Sequence, residues 1–141
     1  MAAVARYLAD KSALARLHIP SVAQFLEPRI EAGLVATCAV IEFELLWSTR
    51  SPAEFDEVRD DRDLGYEWLA TEDADWRRVL DVQQQLWRTG AMRKVPLPDL
   101  LIAAVAERHR LTVVHYDADL ELISALTGQP MKWVVPRGSI S

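Results

Sequence analysis

The sequence predicts a single α/β domain built on a mainly parallel sheet, and three observations carry that prediction. Short apolar runs (Leu34-Val35-Ala36-Thr37, Thr112-Val113-Val114-His115 and Met131-Lys132-Trp133-Val134-Val135) read as strands buried in a parallel sheet. Stretches with helical periodicity lie between them, so strands and helices alternate along the chain. The length, 141 residues, fits one compact core, and 50% of the residues are hydrophobic. One unit is expected over residues 1–141, with no linker, internal repeat or low-complexity tract.

The first strand is Arg6-Tyr7-Leu8, which ends at Asp10. Ser12 to Leu17 follows as a short helix stopped near Pro20. Ser21 is placed to cap a second helix running towards Glu31, in which Pro28 marks a kink or a late start. Gly33 suits that helix's C-terminus. After the strand 34–37, a helix is expected over Ala39–Thr49. Ser51-Pro52-Ala53-Glu54 places Ser at a cap, Pro first and Glu third, and so starts a helix expected to run to about Leu69. Thr71 caps the next helix, in which Trp76, Val79, Leu80, Gln83, Leu86 and Trp87 follow i/i+3/i+4 spacing, and Gly90 ends it. Pro96-Leu97-Pro98 is an extended lead-in, and Asp99 sits at the expected N-cap of a helix that is apolar almost all round. Asp117 follows the strand 112–115, a helix runs on to Thr127, and the strand 131–135 closes the pattern.

Composition narrows the function. No run approaches the roughly 20 apolar residues of a membrane span. Met1 to Leu8 lacks a secretory pattern, so a cytoplasmic protein is expected. Cys38 is the only cysteine, which excludes an internal disulfide, and its apolar neighbours mark it as a small core residue. The net charge of −5 argues against a generic nucleic-acid binder. Two features offset this. Thirteen of the 16 basic residues are Arg, which is suited to bidentate phosphate contacts. A carboxylate site that binds cations also inflates the formal negative charge.

The acids are placed where a parallel sheet gathers its ligands, beyond the carboxyl ends of the strands. Asp10 follows the first strand, Asp117 and Asp119 follow the strand 112–115, Asp99 opens the buried helix, and Glu42 and Glu44 lie early in the helix after the strand 34–37. Clustered carboxylates repel one another unless protons or cations compensate. Mg²⁺ or Mn²⁺ is the natural partner, because hard cations take oxygen ligands. Each acid also has a plainer reading. Asp10, Asp99 and Asp117 can be helix caps, and Asp119 and Glu121 suit the positive end of a helix dipole. Glu44 shares a largely apolar stripe with Val40, Ile41, Trp47 and Ser48, where a carboxylate needs a partner or a cation. Glu42 points elsewhere and reads as a solvated acid near Thr49 or Arg50, but spacing alone leaves both glutamates open.

Other chemistries lack support. His18, His109 and His115 have no zinc-ligand spacing, and no glycine-rich phosphate loop or G-x-S-x-G elbow is present. Trp47, Trp68, Trp76, Trp87 and Trp133 read mostly as core or interface, with base stacking as the other reading.

Four segments in this order and spacing resemble the PIN-domain family and, within it, the VapC-type toxins of bacterial toxin–antitoxin pairs. They are Tyr7-Leu8-Ala9-Asp10-Lys11-Ser12-Ala13-Leu14, the stretch Cys38 to Arg50, Val95-Pro96-Leu97-Pro98-Asp99 with the apolar run after it, and His115-Tyr116-Asp117-Ala118-Asp119-Leu120. The resemblance implies a three-layer α/β/α sandwich and a ribonuclease dependent on Mg²⁺ or Mn²⁺. It also implies a homodimer that a VapB-type antitoxin holds inactive. It implies Asp10, Glu44, Asp99 and Asp117 as catalytic acids, with Asp10, Asp99 and Asp117 as metal ligands and Asp119 and Glu42 as accessories. Lys11, Ser12, Arg16 and Arg50 are the implied contacts to RNA or antitoxin. One departure is plain: the family commonly has Thr or Ser directly after the first Asp, whereas this chain has Lys11 there and a hydroxyl one place later at Ser12. A non-catalytic PIN-like module acting through antitoxin binding and transcriptional autoregulation is the rival expectation. An acidic phosphotransfer receiver finds no fitting acceptor.

Overall fold

A computed structural model describes residues 4–141. Five strands, β1 (Tyr7–Ala9), β2 (Val35–Cys38), β3 (Glu67–Leu69), β4 (Thr112–His115) and β5 (Met131–Trp133), form one sheet in the order β3-β2-β1-β4-β5. Every pairing is parallel, with Tyr7 opposite both Val35 and Thr112. The helices are α1 (Lys11–Leu14), α2 (Pro20–Glu31), α3 (Ala39–Trp47), α4 (Pro52–Gly65), α5 (Asp73–Arg88), α6 (Leu97–His109) and α7 (Asp119–Thr127), with a single 3₁₀ turn at Met92–Lys94. All four residues of β2 are buried, which requires cover on both faces of the sheet. The result is the three-layer α/β/α sandwich.

The strand order places the site. The chain builds outward from β1 through β2 to β3, then returns to the other side of β1 as β4. The switch point therefore lies where β1 and β4 end side by side. The Asp10 N–H donates to the Val114 carbonyl at 2.9 Å, which ties the two ends together. Helix α6 packs against β1 and β4, as expected for a helix in which every residue from Asp99 to Ala106 is buried. Helices α3, α5 and α7 also pack on α6.

Several boundaries differ from the sequence expectation for physical reasons. Helix α4 ends at Gly65, and Glu67-Trp68-Leu69, expected as its last turn, instead forms edge strand β3. Helix α2 starts at Pro20 rather than after Ser21, with Ile19 at the cap position, because Pro is preorganised for a first turn. Pro28 neither starts nor ends α2. It sits in the last turns, and the helix runs on to Glu31. Helix α1 spans only Lys11–Leu14, and β5 stops at Trp133. Helix α5 begins at Asp73, so Thr71 is not its cap. The turns at Gly33 (φ 74°) and Gly90 (φ 76°) hold the left-handed backbone expected of helix ends. None of the five tryptophans is a buried core residue. Trp47, Trp68, Trp76 and Trp87 are exposed, whereas Trp133 is half-buried beneath the site. No helix among the described residues is long and apolar enough to cross a membrane.

Candidate active site

Asp10 emerges from β1 as the cap of α1, and its Oδ2 accepts from the Ser12 N–H at 3.1 Å and from the Ser12 hydroxyl at 2.6 Å. The Ser12 oxygen in turn accepts from the Tyr116 N–H at 2.8 Å. One hydroxyl thus clamps the end of β4 to the carboxylate after β1, so Ser12 holds Asp10 in place. Asp10 is the cap that the sequence allowed, and its carboxylate also lies among the other acids.

On the β4 side, the Asp117 N–H donates to His115 Nδ1 at 3.1 Å, and Asp117 Oδ1 accepts from the Asp119 N–H at 3.0 Å. His115 is fully buried against the Trp133 ring, with centroids 4.9 Å apart. Burial lowers its pKa and keeps it neutral, against the pull of Asp10, Asp117 and Glu121. Its Nδ1 serves as an acceptor for the Asp117 turn rather than as a proton donor.

Asp99 is the third residue of α6, not its cap, and makes no capping bond. Its side chain is 6% exposed, and Oδ2 is buried without a hydrogen-bond partner. Burial pushes its pKa up to about 8, helped by the neighbouring charges of Asp10, Asp117, Glu44 and Asp119. Glu44, on α3, also has a buried unpartnered oxygen, Oε1. Its pKa is raised by burial and by Asp10, then opposed by Lys11, with Asp117 adding to the rise.

One oxygen each from Asp99, Asp117 and Asp119 lie within 4.8 Å of one another. This group joins Asp119, an expected accessory, to Asp99 and Asp117 of the expected ligand set, and Asp10 stands close by as a charge that raises the Asp99 pKa. The family resemblance implies Asp119 as an accessory acid, whereas its place in the first turn of a helix reads alone as ordinary dipole compensation. Burial, and then Asp117, raise its pKa. All donors in this group are hard oxygens, and two buried oxygens nearby, Asp99 Oδ2 and Glu44 Oε1, have no partner. That set fits Mg²⁺ or Mn²⁺, whose charge would relieve the repulsion.

The remaining sequence candidates separate. Glu42 is neither solvated nor beside Arg50. Its Oε1 accepts from Arg62 Nε at 2.6 Å and its Oε2 from the Thr37 hydroxyl, so both oxygens are committed away from the cluster. Arg50 is exposed and pairs with Glu54 on α4. Arg16 donates to the backbone carbonyls of Ser12 (2.6 Å) and Ser141 (2.9 Å) and lies over the Tyr116 ring, so it braces the rim. Lys11 lines a depression with Val40, Phe43, Glu44, Trp47 and Pro98. Phe43 carried no signal in isolation, although its i, i+4 relation to Trp47 across Glu44 was present in the sequence.

A family model described as PIN domain matches residues 7–126. Ribonuclease VapC21 of Mycobacterium tuberculosis is 44% identical over 134 residues, covering 95% of this chain and 97% of the relative. Ribonuclease VapC51 of the same organism is 39% identical over 135 residues, covering 96% and 97%. VapBC2 from Rickettsia felis, bound to a DNA fragment from its promoter, matches the fold with a TM-score of 0.73 at 15% identity, covering 92% of this chain and 98% of that one. VapBC-1 from nontypeable Haemophilus influenzae matches with a TM-score of 0.74 at 12% identity, covering 94% and 98%. The structural matches speak for the fold, and the family model and the sequence relatives carry the assignment: the chain belongs to the PIN-domain family, in its VapC group.

Proposed function

We propose that this chain is a metal-dependent endoribonuclease acting as the growth-inhibiting toxin of a VapBC-type pair. The single observation that carries the reading is Asp99, a buried carboxyl with an unpartnered oxygen, surrounded by acids at the switch point of a parallel sheet. The ribonuclease names of the relatives support the reaction class, and the VapBC neighbours support a VapB-type antitoxin as partner. The substrate we infer is single-stranded or looped RNA, in tRNA or another structured RNA, cut in the cytoplasm by a homodimer free of antitoxin.

Asp99, Asp117 and Asp119 would hold one or two Mg²⁺ or Mn²⁺ ions, with Asp10 completing the site directly or through water. When bound, such a cation supplies Lewis-acid polarisation of the scissile phosphate and neutralises charge at the departing 3′ oxygen. Ser12 fixes Asp10 at its Oδ2, and His115 Nδ1 fixes the Asp117 backbone. Glu44 Oε1 faces no protein donor, so it is free to accept a hydrogen bond from the attacking water and orient it. The products expected are a 5′-phosphate and a 3′-hydroxyl.

Brief expression of wild type and of Asp99→Asn, followed by mapping of RNA 5′ ends, tests the reading. Discrete new 5′-phosphate ends should arise with wild type alone. Growth arrest by Asp99→Asn equal to wild type, with no new ends in either culture, would contradict it.

A further inference from the structure

Phe43 and Trp47 sit four residues apart on α3, on either side of Glu44, and are 75% and 85% exposed. They form the shared wall of two adjoining depressions. The first, about 320 Å³, includes Lys11, Glu44 and Pro98. The second, about 460 Å³, continues over Phe55 and Arg59 to Trp68. Together they make one aromatic trough that starts at Glu44 beside the acidic cluster and reaches Trp68 on edge strand β3. Lys11 stands at its near end and Arg59 in its far part, and neither forms an ion pair among the described residues.

We propose that this trough binds an unpaired nucleobase of the RNA beside the scissile phosphate, stacked on Phe43 and Trp47, with flanking phosphates near Lys11 and Arg59. The proposal rests on the ribonuclease reading and adds which part of the substrate is held and where. Three arguments favour RNA as the occupant. The trough shares Glu44 with the reaction site, so the nucleotide next to the cut reaches it without a second docking event. Aromatic faces flanked by free cations match a nucleotide, whose base offers a π-face and whose phosphate offers a negative charge. Lys11 and Arg59 line the trough against one acid, Glu44, so a polyanion finds two cations there even though α4 carries six acids and two arginines. A base within a duplex cannot offer its face to these side chains, so the cut position must be single-stranded or splayed out.

The test is steady-state cleavage, with Mn²⁺, of single-stranded oligoribonucleotides with and without an abasic nucleotide next to the cut. Wild type, Phe43→Ala, Trp47→Ala and Trp47→Phe are compared, and thermal unfolding confirms that each is folded. Each Ala variant should raise KM by about tenfold with kcat nearly unchanged. The abasic nucleotide should raise KM by a similar factor for wild type and add nothing for Trp47→Ala, because the two changes remove one contact. Trp47→Phe should restore most of the affinity. Wild-type KM in both Ala variants overturns the proposal and leaves the ribonuclease reading intact. So does a loss confined to binding of an antitoxin peptide, which would make the trough a protein-docking surface. Wild type that cuts no RNA overturns the ribonuclease reading itself, and this proposal with it.

Discussion

Asp75 and Asp99 are each the third residue of a helix, the two helices pack together, and both side chains are buried, at 1% and 6% exposure. Their chemistry is opposite. Burial works to raise the Asp75 carboxyl, but the Arg108 guanidinium at 2.8 and 2.9 Å, together with the Glu72 N–H at 2.9 Å, outweighs it and holds the pKa below the ordinary value. Asp99 has no paired cation and four acids around it, and its pKa is pushed up to about 8. Glu42 and Glu44 repeat the contrast two residues apart on α3: one is closed by Arg62 and Thr37, and the other has an oxygen without a partner. A buried acid that the fold has neutralised is structural. A buried acid that the fold has left among other acids is poised for a cation from solution.

The largest expected break in the comparison is in catalysis. Asp99→Asn should lower RNA cleavage by about 1000-fold or more, while Asp75→Asn should leave cleavage per folded molecule unchanged in the same assay. Next comes stability. Arg108→Ala strands the Asp75 charge and should cost about 3 kcal/mol in chemical denaturation, with no equivalent arginine to remove at Asp99.

The third is pH. Asp99 titrates near 3.8 when unfolded and near 8 when folded, so between these values the folded state keeps a proton that the unfolded state has lost. Without metal, this group's contribution is therefore complete below about pH 4 and is lost as pH rises to 8. Asp99→Asn should flatten the dependence and stabilise the metal-free protein at pH 8 by something on the order of 3 kcal/mol in urea unfolding. The smallest effect is Ser12→Ala, which releases Asp10 from its clamp and should weaken Mn²⁺ affinity by about tenfold in a binding titration.

How far the sequence speaks follows the same physics. The alternation of apolar strands with helices was plain because buried parallel strands are apolar on both faces. Edge strand β3 was not, since Glu67 and Trp68 are exposed and three residues carry no period. Asp10 and Asp117 could be placed directly, each following a legible strand. Asp99 could not, because Pro96 and Pro98 both fit a helix start and only the fold decides that Asp99 is third rather than capping. Spacing alone left Glu42 and Glu44 open and the family resemblance pointed to Glu44; the physical difference between them is Arg62, which lies 20 residues on and meets Glu42 only through packing of α4 on α3. In α5 the spacing marked one broad stripe, of which Val79 and Leu86 are buried while Trp76, Leu80 and Trp87 face out.

The most direct test of the central claim is calorimetric titration of Mn²⁺ into the antitoxin-free protein at pH 7, in two buffers of different ionisation enthalpy. Wild type should bind Mn²⁺ and release close to one proton per site, because the cation must displace the proton held by Asp99, and Asp99→Asn should lose both the affinity and the proton release. Equal binding by Asp99→Asn, or wild-type binding with no proton released, would contradict the account.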